Sequence, residues 1–388
     1  MSDARGPAAA DASVMHRHRP APRPLTTLVA LIALVASGCT TGLDGEDDAL
    51  AVSPADPAEV ALRENDDPDW LVVWTNNIEN MLYDWKDLVH EMEVDERAPD
   101  LFLVQQLSGQ QELDRLVAFM ERRLGVDYTG VVAQPDPTHD RFGAQVLPRP
   151  GVTTGIVFRT ARFEARTQDG WFPFGTGFDG QAQRCDRRTT NSGYETLRLR
   201  LHDRIADKDV VAVSLRHWTW HPCSTKNLQD IVDGSVDDSD DGDARNRHAG
   251  FGQRAALHLI GGDFNDRVDG QGGGLACWYR MMNRDVPAGR CSTTRDLGFT
   301  DPLWQACDGD VACVQRRGGI DWLFARRSDG APVRTRHFDI VSWGDAEAAS
   351  VAATGGDGPS NTRARQGYDD VGDRYSGHRA RKAWISYR

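Results

Sequence analysis

The chain has 388 residues, with 58 Asp and Glu against 45 Lys and Arg, and so a formal charge of −13. Its 39% apolar and 8% aromatic content, with 11 Trp, excludes wholesale disorder, and the length suits one large domain or two small ones. The acidic balance excludes a protein that holds nucleic acid by a general basic surface, but not an enzyme that handles phosphate esters in a local cleft.

The longest apolar run, residues 28–36, is too short to cross a bilayer as a helix, which excludes a polytopic membrane protein. The basic stretch HRHRPAPRPL precedes it and small residues follow it, the three-part layout of a secretory signal. Its end, Ala36-Ser37-Gly38-Cys39, resembles the bacterial lipobox. Residues 1–38 are therefore expected to be a removed signal and Cys39 a lipidated residue. That would hold the exported protein to the cell envelope by its lipid alone; cleavage without acylation would leave it secreted. Residues 39–69 are acidic and without periodicity, and are expected to form a tether.

Six cysteines remain after Cys39, an even set that fits a disulfide framework in an exported chain. Six allow fifteen pairings, of which the most local is Cys185–Cys223, Cys277–Cys291 and Cys307–Cys313. A zinc site is the rival, but neither C-x-x-C nor paired His spacing is present.

Residues 70–78 (WLVVWTNNI) predict a buried strand. Apolar positions 85, 88, 89 and 92 predict a helix over 84–92, and 101–104 (LFLV) a second strand. Ser108-Gly-Gln-Gln111 has the form of a capping box, and Leu113, Leu116, Val117, Met120 and Leu124 mark the face of the helix behind it. Strands are predicted at 153–158, 194–201 and 210–215, the second alternating strictly, so that one of its faces is solvated or packs on polar groups. A helix around 247–257 should lead into Leu259-Ile-Gly-Gly262, with later strands at 320–324, 338–342 and 383–387. The acidic stretch 233–243 (DGSVDDSDDGD) reads as a solvated loop, with calcium as its alternative ligand, though no Glu completes an EF-hand. Residues 347–367 read as a surface excursion. Interleaved strands and helices predict one α/β domain over 70–388, of two packed sheets flanked by helices.

Polar residues stand where bare strands should end: Asn77, Gln105-Gln106, Arg216-His217, Asp263-Phe-Asn265, Asp321 and Ser376-Gly-His378. Their order resembles the endonuclease/exonuclease/phosphatase superfamily, the deoxyribonuclease-I-like fold. Asn77-Ile-Glu-Asn80 is similar to its N-[VI]-E-N strand end, and Pro99-Asp-Leu-Phe-Leu-Val-Gln-Gln106 to its PD-x-hydrophobic-QE segment. Gly155-Ile-Val-Phe-Arg159 resembles a further strand, and His217 falls where the family's first catalytic His lies. Gly262-Asp-Phe-Asn265 is an intact GDFN, Ile320-Asp-Trp-Leu-Phe324 resembles I-D-Y-I-F, and Tyr375-Ser-Gly-His-Arg379 resembles S-D-H-R.

The resemblance implies a four-layer α/β sandwich of two packed mixed β-sheets flanked by helices, and a metal-assisted phosphoesterase. In it, His378 pairs with Asp321, Asp263 positions and deprotonates the attacking water, and Asn265 binds a phosphate oxygen. His217 binds phosphate or protonates the leaving oxygen, while Asn77 and Arg216 contribute to substrate binding. In-line attack needs such parts: a base, donors for the equatorial oxygens and charge relief at the leaving side. The implied cation, Mg2+ or another divalent ion, falls to Asn77, Gln106 and Asp263. Two departures bear on it, because the expected metal Glu is Gln106 and the Asp of S-D-H is Gly377. An amide offers a dipole where a carboxylate offers a charge, and Gly offers no side chain. Glu79, two residues beyond Asn77 and so expected on the same strand face, and Asp369, Asp370 and Asp373 are the nearby carboxylates that would compensate. The expected substrate is a phosphodiester. Arg184, Arg187, Arg188 and Arg216, with Trp218 and Trp220 for stacking, favour nucleic acid over a sphingomyelinase or inositol-phosphate type of substrate. A scaffold that binds a phosphate ligand without hydrolysing it is the second alternative. The expected assembly is a monomer.

Overall fold

The structure, a computed structural model, describes residues 64–81, 85–133, 153–173, 195–216, 255–269, 274–287, 296–341 and 376–388. The signal, Cys39, most of the tether, the 233–243 loop, the 347–367 excursion and Cys185–Cys223 lie outside these residues.

Strand β1 (Trp70–Asn77) shows why a continuous apolar run forms a buried strand. Its Leu71 and Val73 enter the layer between two sheets, while Val72 and Trp74 face an outer layer. α1 (Trp85–Glu93) covers that outer layer, followed by β2 (Leu101–Leu107) and α2 (Gln110–Leu124). The helix stripe is as expected, with Leu113, Leu116, Met120 and Leu124 buried. Its start differs. Gly109 is the N-cap and makes no side-chain bond, and the Glu112 carboxylate, not Gln111, accepts the Ser108 N–H at 2.6 Å. A charged carboxylate in the first turn is a stronger acceptor for that amide than a neutral Gln.

β3 (Tyr128–Val132) and β4 (Thr153–Arg159) complete this half. Gly130 in β3 is where α2 lies closest to the sheet: a Cβ there would meet Leu113 and Val117 at 2.9 Å. β5 (Phe163–Pro173), β6 (Glu195–Asp203), β7 (Lys208–Arg216) and β8 (Leu257–Asp263) follow. In β6 the alternation places Leu197, Leu199 and Leu201 in the inter-sheet layer, while Arg200 pairs with Asp209 at 2.6 Å. The expected helix around 247–257 is corrected at its end, since residues 255 and 256 are not helical and Leu257 opens β8; its earlier part lies outside the described residues.

Three short helices, α3 (Cys277–Met282), α4 (Pro302–Ala306) and α5 (Val311–Arg317), carry the chain to β9 (Asp321–Arg327). β10 (Thr335–Ile340) begins earlier than its apolar residues suggest, with a bulge between Arg336 and Asp339, and β11 (Arg381–Ser386) ends the chain. Cys307 and Cys313 form a disulfide across α4 and α5, with Cα atoms 5.7 Å apart. Cys277 is also disulfide-bonded, and its expected partner Cys291 lies outside the described residues.

The strands make two mixed sheets, ordered β10-β11-β1-β2-β4-β3 and β5-β6-β7-β8-β9. Each holds one parallel pair, β1–β2 and β7–β8, among antiparallel neighbours. One apolar layer lies between the sheets, a second lies beneath α1 and α2, and a third packs α3 to α5 on the other sheet. This is a four-layer α/β sandwich.

At one pole, where β1 and β2 begin, Arg162 is fully buried against Asp100 at 3.1 Å and Asp203 at 2.8 Å. The segment before β1 is seated there. Asn65 donates to Asp100 at 2.6 Å, and Arg162 donates to the carbonyls of Asn65 and Asp67 at 2.8 and 3.0 Å. Residues 64–69, expected in the tether, are therefore bonded to the domain.

Candidate active site

Both parallel pairs end at the opposite pole, and the polar residues gather there. β1 ends at Asn77, paired with Gln105 of β2, and β7 ends at Arg216, paired with Asp263 of β8. Asp321 opens β9 directly across from Asp263. His378 arrives just before β11, whose first residue, Arg381, pairs with Thr75. The carboxyl ends of parallel strands are where open α/β sheets place ligands, because the loops diverge there and leave side chains uncovered.

Close backbone packing makes the junction between β7 and β8 possible. Gly262 has φ 149°, and a Cβ there would lie 1.8 Å from the Leu215 carbonyl oxygen, so this position of the GDFN element admits only Gly. Non-glycine residues with positive φ also collect at this pole: Glu79 (46°), Asn80 (60°), Met81 (54°), Gln106 (59°) and Asn265 (48°). Such conformations cost about 1–3 kcal/mol each and persist only where surrounding contacts enforce them.

The site is a connected network. His378 Nδ1 donates to Asp321, at 2.9 Å to Oδ2 and 3.1 Å to Oδ1. Asn77 Nδ2 donates to Asp263 Oδ2 at 2.9 Å and lies 3.2 Å from His378 Nε2. The amide of Asn77 is oriented by its Oδ1, which accepts the Glu79 N–H at 3.1 Å. Asp263 also accepts the backbone N–H and the side-chain amide of Asn265, each at 2.9 Å. Arg216 Nε stands 3.6 Å from Asp263 Oδ2. Asn265 thus orients the Asp263 carboxylate from both its backbone and its side chain.

A set of bonds from the end of β1 holds the Ser376-Gly377-His378 turn. Ser376 Oγ donates to the Asn77 carbonyl and accepts the His378 N–H at 3.1 Å. Asn76 Nδ2 reaches the His378 carbonyl at 3.0 Å, and Glu79 Oε2 accepts the Gly377 N–H at 3.0 Å. Beneath the site, buried Gln105 bridges the sheets by donating to Ser214 Oγ at 3.0 Å.

Electrostatics follow from burial and from three carboxylates around one imidazole. Burial lifts Asp263 to about 6, with His378 opposing the shift and Asp321 adding to it. Burial works against charge on His378, but Asp321, Asp263 and Glu79 outweigh it and hold the imidazole up at about 9. The hydrogen bonds pull the other way: an Asn77 amide donating to Nε2 asks for a lone pair there. The two demands on Nε2 are closely opposed.

Asp263, Asp321 and His378 each offer an atom that lies within 4.8 Å of the others'. Two carboxylates and an imidazole, all buried, are a donor set that fits a divalent cation. Of the metal residues implied by the sequence, Asn77 and Asp263 are joined at this centre. Gln106 sits half-buried in a bulge of β2, between the positions that pair with Thr154 and Thr153. His217 lies outside the described residues, as do Trp218, Trp220, Arg184, Arg187, Arg188, Asp369, Asp370 and Asp373. Sequence reasoning missed Asn76, for which adjacency to Asn77 was the one available signal, and it named Ser376 beside His378 without giving it a role.

No protein-family model matches the chain, and no curated protein matches it in sequence. Among solved structures it is similar to TDP2 from D. rerio complexed with a single-strand DNA product, at 13% identity and TM-score 0.46, covering 81% of this chain and 98% of that one. It is also similar to an endonuclease/exonuclease/phosphatase family protein from Bacteroides thetaiotaomicron, at 12% identity and TM-score 0.45, covering 82% and 98%. The human Nocturnin catalytic domain with bound sulfate aligns at 12% identity and TM-score 0.43, covering 82% and 94%. At these scores the likeness carries no weight of its own, and the fold rests on the strand order and register above.

Proposed function

We propose that this chain is an exported phosphoesterase of the endonuclease/exonuclease/phosphatase type that hydrolyses phosphodiester bonds, with nucleic acid as the favoured substrate. The observation that carries the reading is the His378–Asp321 pair facing Asp263 across Asn77, at the shared end of the two parallel strand pairs. Asp263, lifted to about 6, is a carboxylate poised to take a proton from water near neutral pH. The Asp321 carboxylate fixes the imidazole of His378 with its proton on Nδ1 in the neutral form. When charged, His378 offers Nε2–H to a phosphoryl oxygen as negative charge builds there. Asn265 and Arg216 flank Asp263, where an attacking water and a phosphate oxygen would meet. Asp263 and Asp321, two of the three residues whose donor atoms converge here, would hold a divalent cation, which when bound would offset the carboxylate charge and polarise a phosphoryl oxygen, leaving His378 Nε2 to donate.

Purified protein incubated with single-stranded DNA and Mg2+ or Mn2+ is expected to cleave it. Chelator should abolish turnover, and His378→Ala should reduce kcat by about 10²–10⁴-fold. Absence of metal-dependent hydrolysis of DNA, RNA and a generic phosphodiester would sink the reading. One observation favours the second reading, a scaffold that binds a phosphate ligand without hydrolysing it. Gln106 is neutral, and without a cation His378 stays charged at neutral pH. That reading predicts phosphate or DNA binding without turnover. The lipid anchor at Cys39 and the envelope location belong to the same proposal; radiolabelled palmitate incorporation, lost in Cys39→Ala, tests them.

A further inference from the structure

The groups of the site are divided between the two sheets. Asn77 ends β1 and His378 precedes β11 in one sheet, while Asp263 ends β8 and Asp321 opens β9 in the other. The bonds from Asn77 to Asp263 and from His378 to Asp321 both cross between them, so their lengths depend on how the sheets sit on each other. Along most of its length the layer between the sheets is apolar, with Leu71, Leu101, Ile156, Leu199 and Leu257 among its residues. At the site end it turns polar. Gln105 of β2, level with Asn77, shares its amide protons among Ser214 Oγ of β7 at 3.0 Å, the Leu103 carbonyl at 2.9 Å and Thr75 Oγ1 at 3.3 Å. Ser214 Oγ donates back across the gap to the Val104 carbonyl at 2.8 Å, and Thr154 Oγ1 of β4 donates to the Ser214 carbonyl at 3.2 Å. Thr75, Gln105, Thr154 and Ser214 are all completely buried.

This polar seam contributes little stability and much direction. Buried polar groups gain little even when paired, and Gln105 Oε1 finds no donor among the described residues, so apolar side chains of similar shape would hold the sheets at least as firmly. Apolar contact has no preferred direction, whereas hydrogen bonds fix the register of one sheet on the other. The seam lies where that register matters. Ser214 pairs with Gly261, two residues before the Arg216–Asp263 pair, which is about 6–7 Å along the strands. The sheets approach closely there: a Cβ on Gly261 would lie 2.7 Å from Leu103 Cδ1 and 3.1 Å from Thr75 Cβ. We propose that Gln105 and Ser214 are positioning residues. They lock the sheet carrying Asn77 and His378 onto the sheet carrying Asp263 and Asp321, and so hold both cross-sheet bonds of the site in place. The inference rests on the phosphoesterase reading for what is positioned, and on the seam alone for how.

The test compares Ser214→Ala and Gln105→Met, which break the seam, with Leu201→Ala, a cavity in the same layer towards the far end of β6 and β7. Two quantities are read on the full chain at one pH. The first is the low-field proton NMR line of the His378 Nδ1–H bound to Asp321, assigned by its loss in His378→Ala. The second is kcat and KM on a phosphodiester with Mn2+. Both seam variants are expected to shift or broaden the line and to lower kcat about 10–10²-fold, with KM within a few-fold of the parent. Leu201→Ala, at least as destabilising in urea, is expected to leave both unchanged. A line that stays in place in the seam variants overturns the proposal, as does one that moves equally in Leu201→Ala. A parent without the line overturns it too, because the pair would not then be held. Should Ser214→Ala fail to fold, Gln105→Met carries the comparison. A parent that cuts no phosphodiester, with the line moved only in the seam variants, defeats the phosphoesterase reading and leaves the positioning assignment standing. A parent that cuts, with line and kcat kept in the seam variants, defeats only the positioning assignment.

Discussion

Asp321 accepts the Nδ1 proton of His378 through both of its oxygens, so the carboxylate sets which imidazole nitrogen is left to act. In Asp321→Asn the imidazole loses the carboxylate that most favours its charged form, so the Nε2–H offered to a phosphoryl oxygen is weakened and its ring is no longer held by a charged acceptor at Nδ1. We expect kcat to fall about 10²–10⁴-fold with KM within a few-fold of the parent, read from steady-state kinetics on a phosphodiester. A second residue-scale consequence is purely steric. The methyl of Gly262→Ala would overlap the Leu215 carbonyl oxygen at 1.8 Å, so β7 and β8 must separate. A loss of about 3 kcal/mol or more is expected in urea denaturation, and a change within experimental error would show that this close approach is not required. At this scale the sequence was informative about residue type and poor about conformation. Asn77, Asp263, Asp321 and His378 announced themselves as polar residues at strand ends. The two-residue spacing of Asn77 and Glu79 suggested one strand face, whereas Glu79 lies beyond the strand and reaches the site through a left-handed turn. Nothing in Ile-Glu-Asn-Met signals three consecutive positive φ angles, because side chains of this kind disfavour them and only the surrounding contacts enforce them.

Among the elements, α4 and α5 connect the aromatic layer to β9, the strand that Asp321 opens. Asp301 and Asp310 cap the two helices, Cys307–Cys313 ties them together, and Gly318 at the end of α5 leads into Asp321. A Cβ at Gly318 would meet the Trp322 ring at 2.7 Å, so the helix end packs directly on the residue next to Asp321. Closing so short a loop stabilises by about 2 kcal/mol in the chain-entropy account. Replacing Cys307 and Cys313 together with Ser should lower the Tm by several degrees, and an unchanged Tm by calorimetry would refute that contribution. Long periodic elements were legible: β1, β2, α2, β4, β7 and β9 stand where their apolar patterns predict them. The elements that were missed are short or mixed in pattern. β5 reads FEARTQDGWFP, and β3 carries Gly130 because α2 lies on it, a requirement of packing and not of local sequence.

For the molecule as a whole, charge is buried at both poles, and stability should depend on it. Arg162 holds Asp100 and Asp203 at the pole opposite the site, and Arg162→Met would leave two buried carboxylates facing each other without it. A loss of about 3–5 kcal/mol in chemical denaturation is expected; a neutral outcome would show that Arg159 and Asn65 suffice. The pH dependence has a definite sign. Burial raises Asp263 and Asp301 from 3.8 to about 6 and Asp266 to about 7, so the folded state holds protons that the unfolded chain has released. Stability therefore falls as pH rises from about 4 to 7. His378, raised from 6.5 to about 9 by its carboxylate neighbours against the effect of burial, adds stability that is complete below 6.5 and is lost as pH climbs through 9. Asp209 and Glu93 are lowered below 3.8 and 4.5, and their contributions are lost only in stronger acid. In chelator, Tm by scanning fluorimetry should be highest near pH 4–5 and decline towards pH 9; a maximum at pH 8 would contradict these assignments.

By itself, the sequence determined the strand and helix pattern, the two-sheet α/β class and the polar residues that end the strands. Those properties are local, written in periodicities of two and 3.6 residues and in the identity of the residue that follows each run. Only the tertiary structure decided which of those residues meet. Asn77 and His378 are 301 positions apart and touch because β11 lies antiparallel on β1, while Asp263 faces Asp321 through the β8–β9 register. It also decided the charge state of the centre. Burial among three carboxylates governs the protons on Asp263 and His378, and burial is a property of the packed layers and not of the chain's net −13.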